Sequence, residues 1–535
     1  MLDLLINGGV IHQANSPIPI KGSVGISGDR IAFLGDQADA PIARQTIEFK
    51  GELVSPGIID SHNHLLLGFD SDAVNLQEFH SLEPMREALA MFAQTRPDLT
   101  WVCGENANYS VVENRRPHAR DLAGITDRPI FITTYDQHSV WLNEVALRLL
   151  GVEHGVNLSW GQPEFDELNQ PTGWITDFYT SAMTTIGLKS LQRDIPMYSP
   201  DHRYRKLLTS MQMATRLGIT TVVEPQVPLA ELELFERAQR EGKLSSRVIA
   251  ALFHPIDEGN DFRSQLRSTV DQHINSEFLA LGPIKLYADD VIEPHTAWML
   301  DDYSNRVGIK GHPSAPVDEF NFIIAELDRL GLQTHTHATG DGGIRLILDA
   351  IENAQRTNAT LDRRHGIVHV ECIHPDDLPR LSQLGITAAM QPRHCSPDLI
   401  EGAWMNNVGE DRWDRAWRIN SLMKLGTHVA LSSDWHVGEM DPLVGLYSAL
   451  TRSSIDGSKS WTPSERISLH QAINGYTREG AWAWHRETSF GDIAIGKKAD
   501  LVVWSNNLFE LEPMELLHQH AQLTIVNGRI AHDAR

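Results

Sequence analysis

The chain has 535 residues, of which 70 are acidic and 46 are basic, and its formal net charge is −24 at pH 7. A chain of this length is too long to fold around one small core. It suits two or three domains, or one large barrel with attachments. Because nucleic acids and anionic membranes attract basic surfaces, the charge argues against either as a partner. We expect a small-molecule substrate, and the composition leaves open whether the chain acts alone or as a homodimer.

The cysteines and the apolar segments indicate the compartment. Cys103, Cys372 and Cys395 are widely spaced and odd in number, which is typical neither of a disulfide framework nor of a cysteine-based zinc site. The N-terminus has no basic stretch followed by a long apolar run, and 18 consecutive apolar residues occur nowhere in the chain. These features predict a cytoplasmic location.

Both ends of the chain predict short strands with tight turns. Apolar residues run into Asn7-Gly8 near the start and into Asn527-Gly528 near the end, and Asn-Gly favours hairpin turns. The shared pattern predicts one β-sandwich domain composed of residues 1–54 and 486–535. The alternative is two unrelated β-caps.

Residues 55–485 show a helix-strand rhythm. In four places a helix-like segment ends in Leu-Gly and runs into an apolar strand, at 217–223, 330–335, 384–390 and 425–431. Glycine suits the position just past a helix, and the repeat is typical of α/β folds. A further candidate strand begins at Leu53, and three more cover 247–253, 284–288 and 367–370. Together with the four above, they make eight candidate strands. The pattern predicts a (β/α)₈ TIM barrel, whose chemistry lies at the carboxyl ends of the strands.

Residues of about 65–200 interrupt this rhythm after the first strand. The stretch is far too long for a structureless loop, so we predict an inserted subdomain that covers the barrel mouth. His138 lies among polar and aromatic residues of this insert and is a candidate for substrate binding. Surface and packing roles remain open for the same residues.

The apolar run from Leu53 to Ile59 leads to two histidines, His62 and His64. Side chains at i and i+2 of a strand point to one face, so the two imidazoles are expected to converge. Two neutral imidazoles suit a divalent metal such as Zn²⁺. The alternative is a surface turn with two solvated histidines.

Other predicted strand ends carry residues of the same kind. His337, His369 and Asp434 follow or end the fifth, sixth and eighth strands, and Lys285 lies within the apolar fourth strand. A buried lysine is costly unless it is paired, neutralised or modified. In one barrel these side chains would meet at the mouth.

Several motifs together resemble those of the amidohydrolase superfamily. Within it they are similar to amidohydrolase family 3, the branch that includes the YtcJ-like proteins and N-substituted formamide deformylase. The motifs are Pro-Gly-x-x-Asp-x-His-x-His at 56–64, Lys-x-x-Ala-Asp at 285–289, His-Ala-x-Gly-Asp at 337–341, Met-Gln-Pro at 390–392, Ser-Asp at 433–434 and Gly-Lys-x-Ala-Asp-Leu-Val-Val at 496–503.

The resemblance implies a ligand set. His62, His64 and Asp434 would bind the more buried metal, and His337 and His369 match the ligands of strands five and six. Lys285 matches a bridging lysine that CO₂ carboxylates in many relatives. We expect one or two divalent ions, with Zn²⁺ first and Mn, Fe or Ni open. An unmodified lysine beside a single metal is the alternative for a carboxylated Lys285.

Three positions depart from the family pattern, namely Val368, Asp290 and Gly342, and they indicate altered contacts around the ligands. His335 shares a strand face with His337. It is either a rival ligand or a buried histidine that supports one.

The expected reaction follows from the metal, which lowers the pKa of bound water from about 15.7 to about 7. The metal or His369 would polarise a carbonyl group, and Asp434 would take the proton of water and pass it to the leaving amine. We therefore predict a metal-dependent hydrolase of a non-peptide C–N bond, first an amide such as an N-substituted formamide. A heterocycle deaminase, a cyclic amide hydrolase and a non-catalytic scaffold are the alternatives.

Overall fold

A computed structural model describes residues 1–68, 72–112, 115–135, 137–256, 258–273, 275–358 and 362–535. These residues divide by their contacts into two units. The barrel unit comprises Met1–His64, Met211–Val227 and Gly242–Arg535, and the insert unit comprises Leu65–Ser210 and Pro228–Glu241. Within the described part of the chain, every helix is too short or too polar to span a lipid bilayer. The predicted domain boundaries stay predictions.

The barrel unit contains a sheet of eight parallel strands whose order in space follows their order in the chain. The barrel strands β1 to β8 are Ile58–Asp60, Ile219–Val227, Arg247–Phe253, Leu279–Tyr287, Thr334–Ala338, Gly366–His369, Thr387–Met390 and Val429–Leu431. The Ser61 amide donates to the Leu431 carbonyl at 3.4 Å, and Asn63 bridges Trp435 in parallel, so the last strand returns to the first. The nearly closed parallel barrel confirms the predicted α/β class.

Helices connect these strands, as the sequence pattern predicts. Gly218, Gly331, Gly385 and Gly426 all have φ between 66° and 85°, which is the left-handed conformation that favours glycine just past a helix. The helices of the barrel unit are Asn260–Gln272, Val317–Arg329, Asp341–Asn358, Leu378–Gln383, Pro397–Ile400, Ala403–Val408, Ile419–Lys424, Pro442–Thr451, Leu469–Gly475 and Arg478–Ala483. The helix Pro200–Arg216 is divided between the units, with 200–210 in the insert unit and 211–216 in the barrel unit.

Strands from both chain ends join in a second sheet of the barrel unit. Val502 of the C-terminal part pairs with Ser55, and Val10 pairs with Leu53. Its strands are Leu2–Ile11, Ile20–Ser27, Arg30–Gly35, Ala43–Glu48, Leu53–Pro56, Leu501–Trp504, Ala521–Val526 and Arg529–Asp533. Closure of these strands into a sandwich stays a prediction.

The apolar run that was expected to open the barrel at Leu53 is divided at Gly57. Leu53–Pro56 belongs to the terminal sheet, and only Ile58–Asp60 pairs with β2. A Cβ atom on Gly57 would lie 2.2 Å from the Thr220 side chain, so the chain turns from one sheet to the other where only glycine fits. The predicted barrel strand beginning at Leu53 is therefore wrong by five residues at its start.

The insert unit has its own mixed sheet and its own apolar core. Its strands are Ala73–Asn75, Val102–Ala107, Ile130–Thr134, Val140–Leu142, Gln162–Phe165 and Pro171–Thr176. Its helices are Leu82–Thr95, Glu144–Leu149, Phe178–Ala182, Thr185–Asp194 and Leu232–Arg240.

Candidate metal centre

The six residues predicted as metal ligands all lie at the carboxyl-terminal half of barrel strands or just beyond them, and all are buried. His62 and His64 follow β1, Lys285 lies on β4, His337 on β5, His369 ends β6 and Asp434 follows β8. Parallel strands bring these positions to one end of the barrel, where TIM-barrel enzymes carry their chemistry.

One group of donor atoms is formed by His62, His64 and Asp434. His62 Nε2 and His64 Nε2 each lie 3.4 Å from Asp434 Oδ1. In a tetrahedral site with bonds of about 2.0–2.1 Å, neighbouring donor atoms are about 3.4 Å apart. The three side chains therefore suit a tetrahedral divalent ion in donor type, and the two distances to Asp434 match its spacing.

Backbone pairing between the ends of β1 and β8 holds this group. The Asp434 amide donates to the His62 carbonyl at 2.8 Å, and the His64 amide donates to the Trp435 carbonyl at 2.7 Å. Asp60 ties the same ends together, because its carboxylate accepts from the Ser433 amide at 2.9 Å and from Asn63 Nδ2 at 2.8 Å. Burial raises the pKa of Asp60 to about 6.

His335 lies behind His62. Its Nε2 is 3.1 Å from His62 Nδ1, and its ring packs on the Trp484 ring with centroids 5.0 Å apart. A partner on the far nitrogen of a metal-binding histidine fixes the ring and its tautomer. Of the two predicted roles, the geometry favours a histidine that supports a ligand.

A second group of donor atoms contains His369, His394 and the same Asp434. His369 Nδ1 and His394 Nε2 lie 3.7 Å and 3.9 Å from Asp434 Oδ2. His394 was missed from the sequence, because it lies on the short turn Pro392–Cys395 after β7 rather than on a strand. The adjacent Met-Gln-Pro motif was the sequence feature that could have indicated His394.

His337 joins neither group among the described residues, and Lys285 lies close enough to His62 to affect its charge. Lys285 Nζ is 4.7 Å from the centroid of the Tyr287 ring. The His337 ring lies 4.5 Å from the His369 ring, and its Nε2 is 3.0 Å from the Asp290 carbonyl oxygen. The amide groups of Trp298, Thr339 and Gly340 donate to Asp289, which fixes the end of β5.

Burial dominates the electrostatics of the site. It lowers the pKa of His62 and His369 well below the ordinary range, with help from Lys285 and His337 respectively, and it lowers the pKa of His337 to about 4. Burial opposes ionisation of Asp434, but the hydrogen bond from His64 and the neighbouring histidines hold its pKa well below the usual range. Neutral imidazoles and an ionised carboxylate are the forms that bind a metal.

Burial also lowers the pKa of Lys285 to about 7, against the opposing charges of Asp434 and Glu224. Glu224 follows the same pattern as the other site residues: it lies on β2, is buried, and places Oε1 3.9 Å from His64 Nδ1. Glu224 could not be found from the sequence, because no motif marks a glutamate within a buried strand.

His138 lies in the insert unit. Its side chain is half-buried, and its carbonyl group accepts from the Phe178 amide at 3.1 Å. Its role in substrate binding stays a prediction.

A family model described as the amidohydrolase family matches residues 45–532. The chain is 27% identical over 529 residues to Protein LONG AFTER FAR-RED 3 of Arabidopsis thaliana, which covers 95% of this chain and 88% of that protein. It is 25% identical over 549 residues to N-substituted formamide deformylase of Arthrobacter pascens, covering 100% and 99%.

Among solved structures, the fold is similar to that of an uncharacterized metal-dependent hydrolase from Pyrococcus horikoshii. The TM-score is 0.76 at 22% identity, and the alignment covers 97% of this chain and 99% of the other. At this identity the likeness shows a shared fold. This fold agrees with the barrel class predicted from the sequence.

Proposed function

Because the chain belongs to the amidohydrolase family, an enzyme family of C–N bond hydrolysis, we propose that it hydrolyses a small amide with the help of a divalent ion. An N-substituted formamide is the first candidate, because a relative of that activity aligns over the whole chain. The observation that carries the proposal is the group of His62, His64 and Asp434, in which both distances to Asp434 match tetrahedral spacing. We also propose a cytoplasmic location, which the buried free thiols of Cys372 and Cys395 support.

His62, His64 and Asp434 Oδ1 would hold one ion, and Zn²⁺ suits this set of two imidazoles and a carboxylate. Such an ion, when bound, polarises a carbonyl group and makes water more acidic. His335 keeps His62 in place through the contact between His335 Nε2 and His62 Nδ1.

Asp434 also serves as the proton carrier. Its low pKa keeps the carboxylate ionised at neutral pH, so Oδ2 begins as a proton acceptor. Oδ2 takes a proton from the attacking water and then gives it to the leaving nitrogen as the C–N bond breaks, which is general base followed by general acid catalysis. A formamide would yield formate and an amine. We propose that His369, whose Nδ1 lies 3.7 Å from Asp434 Oδ2, positions this oxygen and the substrate carbonyl.

We propose that CO₂ carboxylates Lys285 when two ions are bound, and that the lysine stays unmodified beside a single ion. Burial lowers the pKa of Lys285 to about 7, so a neutral amine that can react with CO₂ is present at neutral pH. Labelling with ¹³C-bicarbonate tests this point, since protein with two bound ions and no carbamate signal would contradict it.

The proposal is tested by a screen of N-substituted formamides, other amides, cyclic ureas and aminated heterocycles. Metal-free protein and protein reconstituted with Zn²⁺ are compared, and formate, amine and ammonia are measured. We expect release of formate and amine only after reconstitution. Ammonia release from a heterocycle would identify a deaminase instead, and turnover that survives complete removal of metal would overturn the proposal.

A further inference from the structure

We propose that Gln226 binds a hydrogen-bond acceptor on the nitrogen substituent of the substrate, and that Tyr287 orients the Gln226 side chain for this contact. The preferred substrate is then an N-substituted amide whose substituent carries an acceptor such as an ether oxygen. The inference deepens the proposed function and rests on it, because it narrows the substrate class of the same barrel mouth.

Gln226 and Tyr287 meet inside the barrel. Gln226 lies near the carboxyl end of β2, and Tyr287 ends β4. Tyr287 Oη donates to Gln226 Oε1 at 2.5 Å, although β3 separates their strands in the sheet. Side chains of alternate barrel strands meet in the barrel interior. Both side chains therefore point inward at the end of the barrel that carries the candidate metal ligands.

The second polar atom of Gln226 has no partner. The residue is 3% exposed, and among the described residues no acceptor lies within hydrogen-bond reach of its Nε2. Because Oε1 accepts from the Tyr287 hydroxyl, the amide is held with Nε2 directed elsewhere. A buried donor without an acceptor is costly, and at a binding site the ligand can supply the acceptor.

The position of this donor in the mouth indicates which part of the substrate it contacts. His62 and His64 follow β1 and Asp434 follows β8, whereas the contact between Gln226 and Tyr287 spans β2 to β4. An amide whose carbonyl group lies at the first three residues can extend toward Gln226. On a formamide the acyl carbon carries only hydrogen, so the nitrogen substituent is the part that reaches across.

Two further features favour a substrate contact over a purely structural one. Phe253 ends β3, and its buried ring lies edge-on to the Tyr287 ring with centroids 6.3 Å apart. A single donor beside aromatic rings is typical of a small-molecule site. The pairing of β2 with β3 also shifts between Glu224 and Val227, and such bulges redirect side chains beside active sites.

The test compares amides that differ only by an ether oxygen. For the acyl group that turns over in the screen, the N-(2-methoxyethyl), N-(3-methoxypropyl) and N-(4-methoxybutyl) amides are paired with the N-butyl, N-pentyl and N-hexyl amides. In at least one pair, the ether-to-alkyl ratio of kcat/KM should fall by about 10–100-fold from wild type to Gln226→Leu, mainly through KM. The different solvation of the two amides cancels in this comparison between proteins.

Two more variants separate binding from packing. Gln226→Glu keeps an acceptor for Tyr287 but removes the amide donor, so the ratio should fall in this variant as well. Gln355→Leu is the control, because Gln355 Nε2 donates to the Leu384 carbonyl at 2.8 Å between a helix and a loop. It should lower stability and leave the ratio unchanged. Circular dichroism and metal analysis establish that each variant is folded and loaded.

Each other outcome has a defined meaning. A ratio that stays unchanged in Gln226→Leu, or that falls there but not in Gln226→Glu, overturns the inference, and turnover of any of the amides leaves the proposed function standing. Absence of turnover for every amide of the screen by metal-loaded protein overturns the proposed function and this inference with it. Crystals of Asp434→Asn soaked in the preferred ether amide decide the matter with Gln226 intact. An ether oxygen within hydrogen-bond distance of Gln226 Nε2 supports the inference, and one placed elsewhere contradicts it.

Discussion

The insert unit and the barrel mouth both bury charged side chains, and two of those in the insert unit form close ion pairs with carboxylates. In the insert unit, Arg203 Nε and Nη2 donate to the two Glu231 oxygens at 2.6 Å each, and Lys206 Nζ lies 2.5 Å from Glu105 Oε1. In the barrel mouth, Lys285 is as deeply buried, and its ammonium group lies over the Tyr287 ring, 4.7 Å from the ring centroid.

This difference distinguishes charged groups that are buried to stabilise the fold from charged groups that are buried at a functional site. A close ion pair satisfies its own charges and holds the chain together. The barrel mouth instead combines shifted pKa values, converging imidazoles and one carboxylate that faces two groups of donor atoms. Such an arrangement is costly without a ligand and is typical of a functional site.

The largest effect that this comparison predicts is on turnover. Asp434→Asn keeps an oxygen for the ion but removes the proton acceptor, so we expect hydrolysis of the amide found by the screen to fall by about 10²–10⁴-fold. Metal analysis should show the first ion still bound. Undiminished turnover with bound metal would exclude Asp434 as the proton carrier.

Substitutions of the paired charges in the insert unit should change stability rather than turnover. Arg203→Met leaves Glu231 buried without its guanidinium, and we expect a loss of about 3–5 kcal/mol in the local stability of this unit. Hydrogen exchange of Leu232–Arg240 measures the loss. The double variant with Glu231→Leu removes both charges and should recover most of it, whereas equal losses in the single and double variants would contradict a structural ion pair.

Lys285→Met should act in the opposite direction and raise the stability of the metal-free protein, because it removes a lysine whose charged form is disfavoured by burial. Burial lowers the pKa of Lys285 from 10.5 to about 7, so the unfolded chain binds a proton that the folded protein lacks between these values. The resulting penalty is complete below pH 7 and fades as the pH rises to 10.5. The gain in melting temperature should therefore shrink over this range.

The matched control is Lys206→Met, the same substitution in the insert unit. It leaves Glu105 without this ammonium group and should destabilise the protein. If both variants lower the stability equally, the two lysines have the same structural role, and the distinction drawn between the insert unit and the barrel mouth is wrong.

Local patterns were sufficient for the barrel and for most of its site. The Leu-Gly signals work because glycine past a helix is a local requirement, which the positive φ of Gly218 and Gly331 bears out. The pair His62 and His64 could be found because a spacing of two residues carries its own geometry. These inferences need no knowledge of distant parts of the chain.

Other features depend on contacts between distant residues. Gly57 divides an apolar run because Thr220, 163 residues later in the chain, leaves room only for glycine. His394 has no strand periodicity, and its relation to His369 exists only once β6 and β7 pair. The contact of His335 with His62 likewise joins β5 to the end of β1.

The smallest effect we predict concerns this last contact. His335→Gln removes the ring that holds His62 Nδ1 and should weaken the first cation by about 10–100-fold, as measured by competition with a chelator. His365→Gln is the control, because His365 is also buried but bonds to Asp328 at 3.2 Å, so it should lower stability and leave the cation affinity unchanged. Equal cation affinity in wild type and His335→Gln would show that burial alone holds His62. The side chains of the barrel mouth would then be held by packing rather than by polar contacts, unlike the paired charges of the insert unit.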